Sequence, residues 1–332
     1  MASEASQMIR QHFEVTVGAV DLLNDKNTMH VLSKNITRQM LEKGESTSPV
    51  GFENGESSAP KKKKVVVEGE APDSIVVKLV CFPSNGAGPS LFASWIQILL
   101  QFGVQLLMVQ LPGWEGREDE QQLQNMSDIA RIIYDELSPH VSGSPFVFFG
   151  HSMGSLIAFE VAHLLLKEDS MCPRHFFVSA WYAPTAPYPH PEELKVKTAT
   201  FEKLKKTLEN QPKLFADLTE AENVTFSFLD KGTLANAALM RRLIPCIEAA
   251  IGMLRRYTCK YQTPLPCNIT ALGGKQDEFV TPELLDGWEL LKSKKNTFRK
   301  MTFPGKHMFI LTNTPEIVKL VCFACKNVAN KR

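Results

Sequence analysis

The stretch PFVFFGHSMGSLIAFEVAHLLL, residues 145–166, decides the fold class of this 332-residue chain. Its apolar start predicts a β-strand and its amphipathic end predicts a helix. Between them Ser152 lies in a Gly-x-Ser-x-Gly turn, the pattern of a nucleophile elbow. Such a turn is tight enough to require small residues at Gly150 and Gly154. It lifts the serine hydroxyl above the sheet, beside a helix N-terminus that favours developing negative charge.

The rest of the chain from residue 74 onward alternates strand-length apolar runs with helical patterns. Six runs predict strands, at residues 75–82, 104–110, 146–149, 176–181, 268–272 and 298–303. Helical patterns lie between them, at residues 129–137, 155–167, 282–291 and 315–328. Continuous apolar strands that alternate with helices predict a parallel sheet covered on both faces. With the elbow, they predict an α/β fold of the α/β-hydrolase kind.

One interval, residues 187–261, interrupts the alternation because it contains no good strand. It carries helical patterns over 192–208, 212–228 and 234–257. We expect a helical lid inserted between late strands, above the strand C-termini where ligands bind in such sheets. Some of its many apolar residues would then line a tunnel for an acyl chain.

The N-terminal part of the chain has a different texture. Residues 1–43 are polar with helical apolar spacing, which predicts two short helices. Residues 44–73 are rich in Gly, Ser, Pro and Glu and include the lysine run 61–64, so we interpret them as a flexible linker. The compact domain is therefore predicted to span residues 74–332.

Composition excludes several classes of protein. With 37 Lys plus Arg and 36 Asp plus Glu, the net charge of +1 gives nucleic-acid binding no electrostatic basis. No apolar run is long enough for a membrane span, and the charged N-terminus does not fit a secretory signal. Seven cysteines, an odd number, indicate reduced thiols and a cytoplasmic setting.

A serine nucleophile needs a general base and an acid that orients it. In α/β-hydrolases the chain order is Ser, acid, His, and His307 follows the last predicted strand. Asp277 follows the strand before it and is our choice of acid, with the adjacent Glu278 as its competitor. His151 is fixed beside the nucleophile and cannot swing to its hydroxyl, so we interpret it as a turn residue.

The oxyanion hole of such an enzyme uses two backbone N–H groups. One belongs to the residue after the nucleophile, Met153. The other is expected in the glycine-rich loop after the first predicted strand, residues 82–88 (FPSNGAG). Glycine-rich backbone can approach a substrate closely and expose its amides.

The pair Cys322-x-x-Cys325 lies in the last helical pattern. No histidine or second cysteine pair accompanies it, so we predict no zinc site there and interpret both residues as core-facing. We expect no metal and no redox cofactor.

Five motifs together resemble a known family. They are LVCFPSNGAG (79–88), VQLPGWEGRED (109–119), FGHSMGSLIAFEVA (149–162), LGGKQDEFV (272–280) and PGKHMFIL (304–311). In this order they resemble the free-standing type II thioesterases of fatty acid and polyketide synthesis, which include the animal medium-chain enzymes. The resemblance implies a triad of Ser152, Asp277 and His307 and an oxyanion hole formed by the amides of Asn85 and Met153.

The chain departs from the family pattern at two of these positions. The family usually has alanine at the Asn85 position, a tolerable change because only the amide is used. It usually has arginine at the Trp114 position, which the resemblance places at the pocket mouth. Residues 1–36 also resemble the second half of an acyl carrier domain, beginning just past the serine that would carry phosphopantetheine.

The resulting hypothesis is a serine thioesterase that releases a fatty or polyketide acid from the phosphopantetheine arm of a carrier domain. Two alternatives remain at this stage. One is a serine hydrolase of oxygen esters, which the elbow alone cannot distinguish. The other is a non-catalytic module that binds a carrier.

Overall fold

A seven-stranded sheet forms the centre of the compact unit. The structure, a computed structural model, describes residues 64–69, 72, 77–185, 198–210, 236–261 and 263–330. The strands are β1 (Val66–Glu68), β2 (Val77–Phe82), β3 (Val104–Val109), β4 (Phe146–His151), β5 (His175–Ser179), β6 (Asn268–Gly274) and β7 (Phe298–Phe303). They lie in the order β1-β3-β2-β4-β5-β6-β7. Strands β2 to β7 are parallel, which confirms the six predicted strands and the fold class.

The edge strand β1 was not predicted, and it corrects the domain boundary. It pairs antiparallel with β3, with Val66 opposite Val109. The Glu136 carboxylate accepts hydrogen bonds from the N–H groups of Val65 and Val66, at 2.9–3.0 Å, and thereby holds the start of the strand. The prediction of a linker up to residue 73 is therefore wrong for Val66–Glu68, and the compact unit spans Lys63–Arg332.

Helices cover both faces of the sheet. They are α1 (Ile96–Leu100), α2 (Met126–Val141), α3 (Met153–Asp169), α4 (Thr198–Asn210), α5 (Ala237–Arg256), α6 (Phe309–Thr312) and α7 (Thr314–Ala329). The segments Pro89–Trp95 and Pro282–Leu291 are 3₁₀ helices, so the pattern predicted over 282–291 is helical but more tightly wound.

Two hydrophobic cores lie on opposite sides of the sheet. Successive strand residues face different sides, so Phe148 packs with α2 and α3 whereas Phe149 packs with α7. Both phenylalanines are fully buried. Strands enclosed on both faces are apolar at consecutive positions, which is why the sequence shows runs rather than alternation. Cys322 and Cys325 belong to α7 and are buried in the core, which confirms that they face inward.

The predicted lid interval lies between β5 and β6. Helices α4 and α5 overlap the patterns predicted over 192–208 and 234–257. The pattern over 212–228, the predicted helices of residues 1–43 and the lysine run 61–63 lie outside the described residues. In the part of the chain that the structure covers, no helix is long and apolar enough to cross a membrane.

Candidate active site

Ser152 lies at the end of β4, the middle strand of the sheet, and is the residue that precedes α3. Its φ of 55° and ψ of −131° are in a region that non-glycine residues rarely adopt. A Cβ on Gly150 would lie 2.5 Å from the Ser155 Cα, and one on Gly154 would lie 2.2 Å from the Phe82 carbonyl oxygen. The small residues that flank the serine are therefore required by backbone contacts, as the elbow pattern predicts.

Hydrogen bonds to the neighbouring strand hold this strained turn. The Ser152 N–H donates to the Ser179 carbonyl at 2.7 Å, which extends the pairing of β4 with β5 past the last strand residue. The Ser155 hydroxyl lies 2.8 Å from the Gly150 carbonyl and accepts a bond from the Ser179 N–H at 3.1 Å. Sequence reasoning missed Ser155 and Ser179, since a serine on a helix or strand gives no signal of such a role.

The structure brings together the three side chains that the sequence selects. His307 Nδ1 lies 2.8 Å from Asp277 Oδ2, and His307 Nε2 lies 2.8 Å from Ser152 Oγ. An ionised carboxylate only accepts hydrogen bonds, so Nδ1 carries the proton and Nε2 accepts from the serine hydroxyl. This is the tautomer in which the imidazole can remove the serine proton.

Asp277 and Glu278, the two adjacent candidates for the acid that orients His307, have different surroundings. Asp277 is buried, and its second oxygen, Oδ1, accepts hydrogen bonds from the Phe279 and Val280 N–H groups at 3.0 Å. Glu278 is exposed, and the hydrogen bond to His307 comes from Asp277. Asp277 therefore has one oxygen fixed by backbone and the other directed at the imidazole.

His151 is the other titratable side chain at this site. It is fully buried, its Nδ1 lies 2.9 Å from Ser179 Oγ, and its ring centre is 5.6 Å from that of His307. Burial, and then the proximity of His307, lower its pKa well below the ordinary value of 6.5. His151 therefore stays neutral and adds no positive charge beside the His307 base.

The two predicted oxyanion donors lie on segments that touch each other. Met153 is the first residue of α3, and the loop that carries Asn85 contacts α3 through Pro83, whose carbonyl oxygen would be 2.4 Å from a Cβ on Gly154. Within the described residues, neither the Asn85 nor the Met153 N–H has a hydrogen-bond acceptor. Both donors are thus available to a ligand.

Helix α5, in the interval predicted to form a lid, packs directly onto this loop. A Cβ on Gly86 would be 3.1 Å from Leu243 and 3.2 Å from the Cys246 Cβ, both on α5. Trp114, expected at the pocket mouth, is buried with 5% of its surface exposed, in the same hydrophobic core as Cys246 of α5.

Taken as chemistry, the site holds a hydroxyl against a neutral imidazole that is itself held by a buried carboxylate. Such a hydroxyl can attack an electrophilic carbonyl while the imidazole takes its proton. Among the described residues, no group of three or more His, Cys, Asp or Glu side chains could hold a metal ion.

The fold and the elbow define a protein of the α/β-hydrolase class. Residues 77–322 match the family model described as "Thioesterase domain". The chain therefore belongs to the thioesterase family, whose members are thioester hydrolases.

Named relatives and solved structures agree with this family. The chain is 29% identical over 259 residues to gramicidin S biosynthesis protein GrsT of Aneurinibacillus migulanus, covering 78% of this chain and 93% of that protein. It is 30% identical to the medium-chain S-acyl fatty acid synthase thioesterase of Rattus norvegicus, covering 77% and 89%. The RedJ thioesterase of the prodiginine pathway in Streptomyces coelicolor superimposes with a TM-score of 0.61 at 28% identity, over 80% of this chain and 96% of that one. The type II thioesterase BorB of the borrelidin cluster superimposes with a TM-score of 0.63 at 22% identity, over 80% and 100%.

Proposed function

We propose that this thioester hydrolase releases a fatty or polyketide acid from the phosphopantetheine arm of an acyl carrier domain, with Ser152 as its nucleophile. The observation that carries the proposal is the continuous hydrogen-bonded chain from Asp277 through His307 to Ser152, with both links at 2.8 Å. These links join residues separated by 30 and 155 positions in sequence, so the whole fold is needed to form them.

Acylation of the enzyme is the first half of this reaction. The Ser152 oxygen attacks the thioester carbonyl carbon while its proton passes to His307 Nε2. The negative charge that develops on the carbonyl oxygen is stabilised by the Asn85 and Met153 N–H groups. The carbon–sulfur bond then breaks, the departing sulfur takes the proton from Nε2, and the acyl group remains on the serine.

Deacylation repeats these steps with water as the nucleophile. His307 Nε2 removes a proton from a water molecule, whose oxygen attacks the acyl-serine carbonyl. The serine oxygen leaves with the proton from Nε2, and the free acid departs. Asp277 keeps the imidazole in one tautomer throughout and stabilises its charged form.

The carrier-bound substrate is supported by the names of the relatives. The rat relative is a fatty acid synthase thioesterase, and the GrsT relative is a gramicidin S biosynthesis protein. A thioesterase of a synthase needs a partner that presents the acyl thioester. We propose that the partner of this chain is the acyl carrier domain of a synthase. The odd cysteine count supports a cytoplasmic location.

We also propose that residues 1–43 are a carrier-like segment joined to the catalytic unit by a linker. The similarity of residues 1–36 to the second half of a carrier domain supports this organisation. Deletion of residues 1–62 is expected to leave turnover of acyl-pantetheine unchanged.

Intact-mass measurement with acyl-pantetheine thioesters tests the proposal. We expect a transient acyl adduct on the wild-type protein, release of free acid, and neither in Ser152→Ala. Turnover of p-nitrophenyl esters without turnover of thioesters would favour an oxygen-ester hydrolase. A folded protein that forms no adduct and is not labelled by a fluorophosphonate would favour a non-catalytic binding module.

A further inference from the structure

The loop that carries Asn85 has a defined turn, and we name residues 84–88 the oxyanion loop. The Ala87 N–H donates to the Ser84 carbonyl at 3.0 Å, so the two residues between them form the centre of a β-turn. Gly86 has a φ of 75° whereas Asn85 is outside the positive region, which is the pattern of a type II turn. The turn fixes the shape of the loop but does not by itself fix its position over Ser152.

Glu115 makes the bonds that fix this position. Its N–H donates to the Gly86 carbonyl at 3.3 Å. Its carboxylate oxygen Oε2 accepts from the Gly88 N–H at 3.1 Å and from the Ser90 hydroxyl at 2.7 Å. Glu115 thus bonds to Gly86, a central residue of the turn, and to Gly88, the residue that follows the turn.

Few other hydrogen bonds hold the oxyanion loop. The Leu91 N–H donates to the Gly88 carbonyl, a bond within the first turn of the following 3₁₀ helix. Among the described residues, the remaining hydrogen bonds that join residues 84–88 to distant parts of the chain all go to Glu115. The contacts of Gly86 with Leu243 and Cys246 are packing contacts and carry no directional preference.

Glu115 is itself held rigidly from the sheet. The side-chain amide of Gln110, which follows β3, donates to the Glu115 carbonyl at 3.0 Å. Two residues further on, the buried Arg117 side chain bonds to the Gln110 carbonyl at 3.0 Å and to both oxygens of Glu120 at 2.6–2.8 Å. Glu115 is therefore fixed relative to the end of β3 by the bonds that Gln110 makes to it and to Arg117.

We infer that Glu115 is a positioning residue that holds the Asn85 N–H where the oxyanion forms. The inference rests on the proposed function, because it assumes that the Asn85 amide stabilises the oxyanion. Oxyanion stabilisation depends steeply on donor placement, and a misplacement of about 1 Å can cost about 100-fold in rate. Glu115 bonds to the loop and not to Ser152 or His307, so its effect is exerted through the loop.

The test compares Glu115→Ala with Glu115→Gln. Both donors bond to the same carboxylate oxygen, so a glutamine carbonyl oxygen in that place can accept from both. We expect Glu115→Ala to lower kcat and the rate of fluorophosphonate labelling of Ser152 by about 10- to 100-fold with little change in KM. We expect Glu115→Gln to stay within about 3-fold of wild type, since neutral hydrogen bonds replace charge-assisted ones of the same geometry.

The matched control is Glu118→Gln, which removes a charge of the same sign from the same segment. Glu118 is exposed and forms an ion pair with Arg242, and it makes no bond to the oxyanion loop. The fluorophosphonate labelling of Ser152 is therefore expected to stay near the wild-type rate. Ser90→Ala keeps the Gly88 bond and is expected to have a smaller effect than Glu115→Ala.

Three outcomes decide the inference. Glu115→Ala keeps the backbone bond to Gly86 and removes only the carboxylate bonds. Wild-type rates in this variant, in a protein that labels at Ser152, would overturn the positioning role of the carboxylate and leave the proposed function standing. An equal loss in Glu115→Ala and Glu118→Gln would also overturn it, because the effect would then be one of charge. If the wild-type protein neither labels nor turns over thioesters, the proposed function falls and the inference with it. Should Glu115→Ala fail to fold, Glu115→Asp, whose shorter side chain cannot span both donors, is expected to show the same loss.

Discussion

Gly154 and Phe82 are packed so closely that a Cβ on the glycine would lie 2.2 Å from the phenylalanine carbonyl oxygen. This contact joins the helix after the nucleophile to the strand that leads into the oxyanion loop. We predict that Gly154→Ala lowers the free energy of unfolding by about 3 kcal/mol, because the obstructing atoms are backbone and cannot rotate away. Urea denaturation measures the loss, and fluorophosphonate labelling of Ser152 should slow in parallel.

Gly252 provides the control for this prediction. It also lies in a helix, α5, but a Cβ there would meet only the Arg256 guanidinium, at 3.5 Å or more. Gly252→Ala is expected to be neutral or to stabilise by up to about 1 kcal/mol, because alanine favours helix more than glycine does. Equal destabilisation in both variants would contradict the argument from backbone contact.

The parallel strands can be predicted from the sequence because the signal for each one, its apolar run, lies within the strand itself. Strands such as β4 and β5 are buried on both faces, so each appears as an unbroken apolar run. The edge strand β1 has three residues, and its first valine is held by the distant side chain of Glu136. Nothing near β1 in the sequence indicates that partner, which is why the segment has the composition of a linker.

The site is predictable to the extent that its residues follow strands in a fixed order. Ser152 directly follows β4, whereas Asp277 and His307 lie in the loops after β6 and β7, and the C-terminal ends of parallel strands meet at one edge. Glu115, Ser155 and their bonds are not predictable in this way. The Glu115 and Ser155 side chains bond to backbone N–H and carbonyl groups. The positions of those groups depend on the packing of several loops.

Asp277→Asn is predicted to lower kcat by about 10³- to 10⁴-fold. The Phe279 and Val280 N–H groups would select the amide oxygen for their own bonds, which directs the amide NH₂ at His307 Nδ1. Nδ1 must then accept, the proton moves to Nε2, and the imidazole can no longer take the serine proton. Steady-state thioester hydrolysis measures the effect.

The fold should be preserved in this variant, since asparagine has the shape of aspartate. Circular dichroism and the urea midpoint near neutral pH serve as the control. A turnover number within 10-fold of wild type would show that Asp277 does not set the imidazole tautomer. Glu278→Gln provides a matched comparison on the exposed neighbour and is expected to retain activity.

The Tyr257 hydroxyl donates a 2.6 Å hydrogen bond to the Glu160 carboxylate, which joins the end of α5 to α3. Burial raises the pKa of Glu160 above its ordinary value, although the Tyr257 bond and the Lys260 charge oppose the shift. A carboxyl with a raised pKa contributes stability at acidic pH that is lost as the pH rises through that pKa. Glu160→Gln is therefore predicted to raise the urea midpoint at pH 7.5 and to have no such benefit at pH 4.

Tyr257→Phe should have the opposite effect at neutral pH. It leaves the buried Glu160 carboxylate without its donor, which costs about 1–3 kcal/mol. The loss should shrink at pH 4, where Glu160 is protonated. If Glu160→Gln and Tyr257→Phe shift the midpoint in the same direction at pH 7.5, the ionised state of Glu160 does not govern the stability of this junction.

His163 gives the protein a built-in sensitivity to acid. The side chain is buried on α3 and stacks on Tyr261 at 4.1 Å between ring centres, and among the described residues its Nε2 has no hydrogen-bond partner. Burial lowers its pKa to about 4. Between pH 6.5 and 4 the unfolded chain therefore binds a proton at this residue that the folded chain does not, and stability falls as the pH falls. We predict that His163→Phe removes about 2 kcal/mol of this loss at pH 5, a figure that follows from 1.36 kcal/mol for each pKa unit.

Urea midpoints at pH 5 and pH 8 measure the effect of His163→Phe. The measurement at pH 8 is the control because the histidine is neutral in both the folded and the unfolded state there. Equal losses in wild type and variant between pH 8 and pH 5 would show that His163 is protonated without cost in the folded protein.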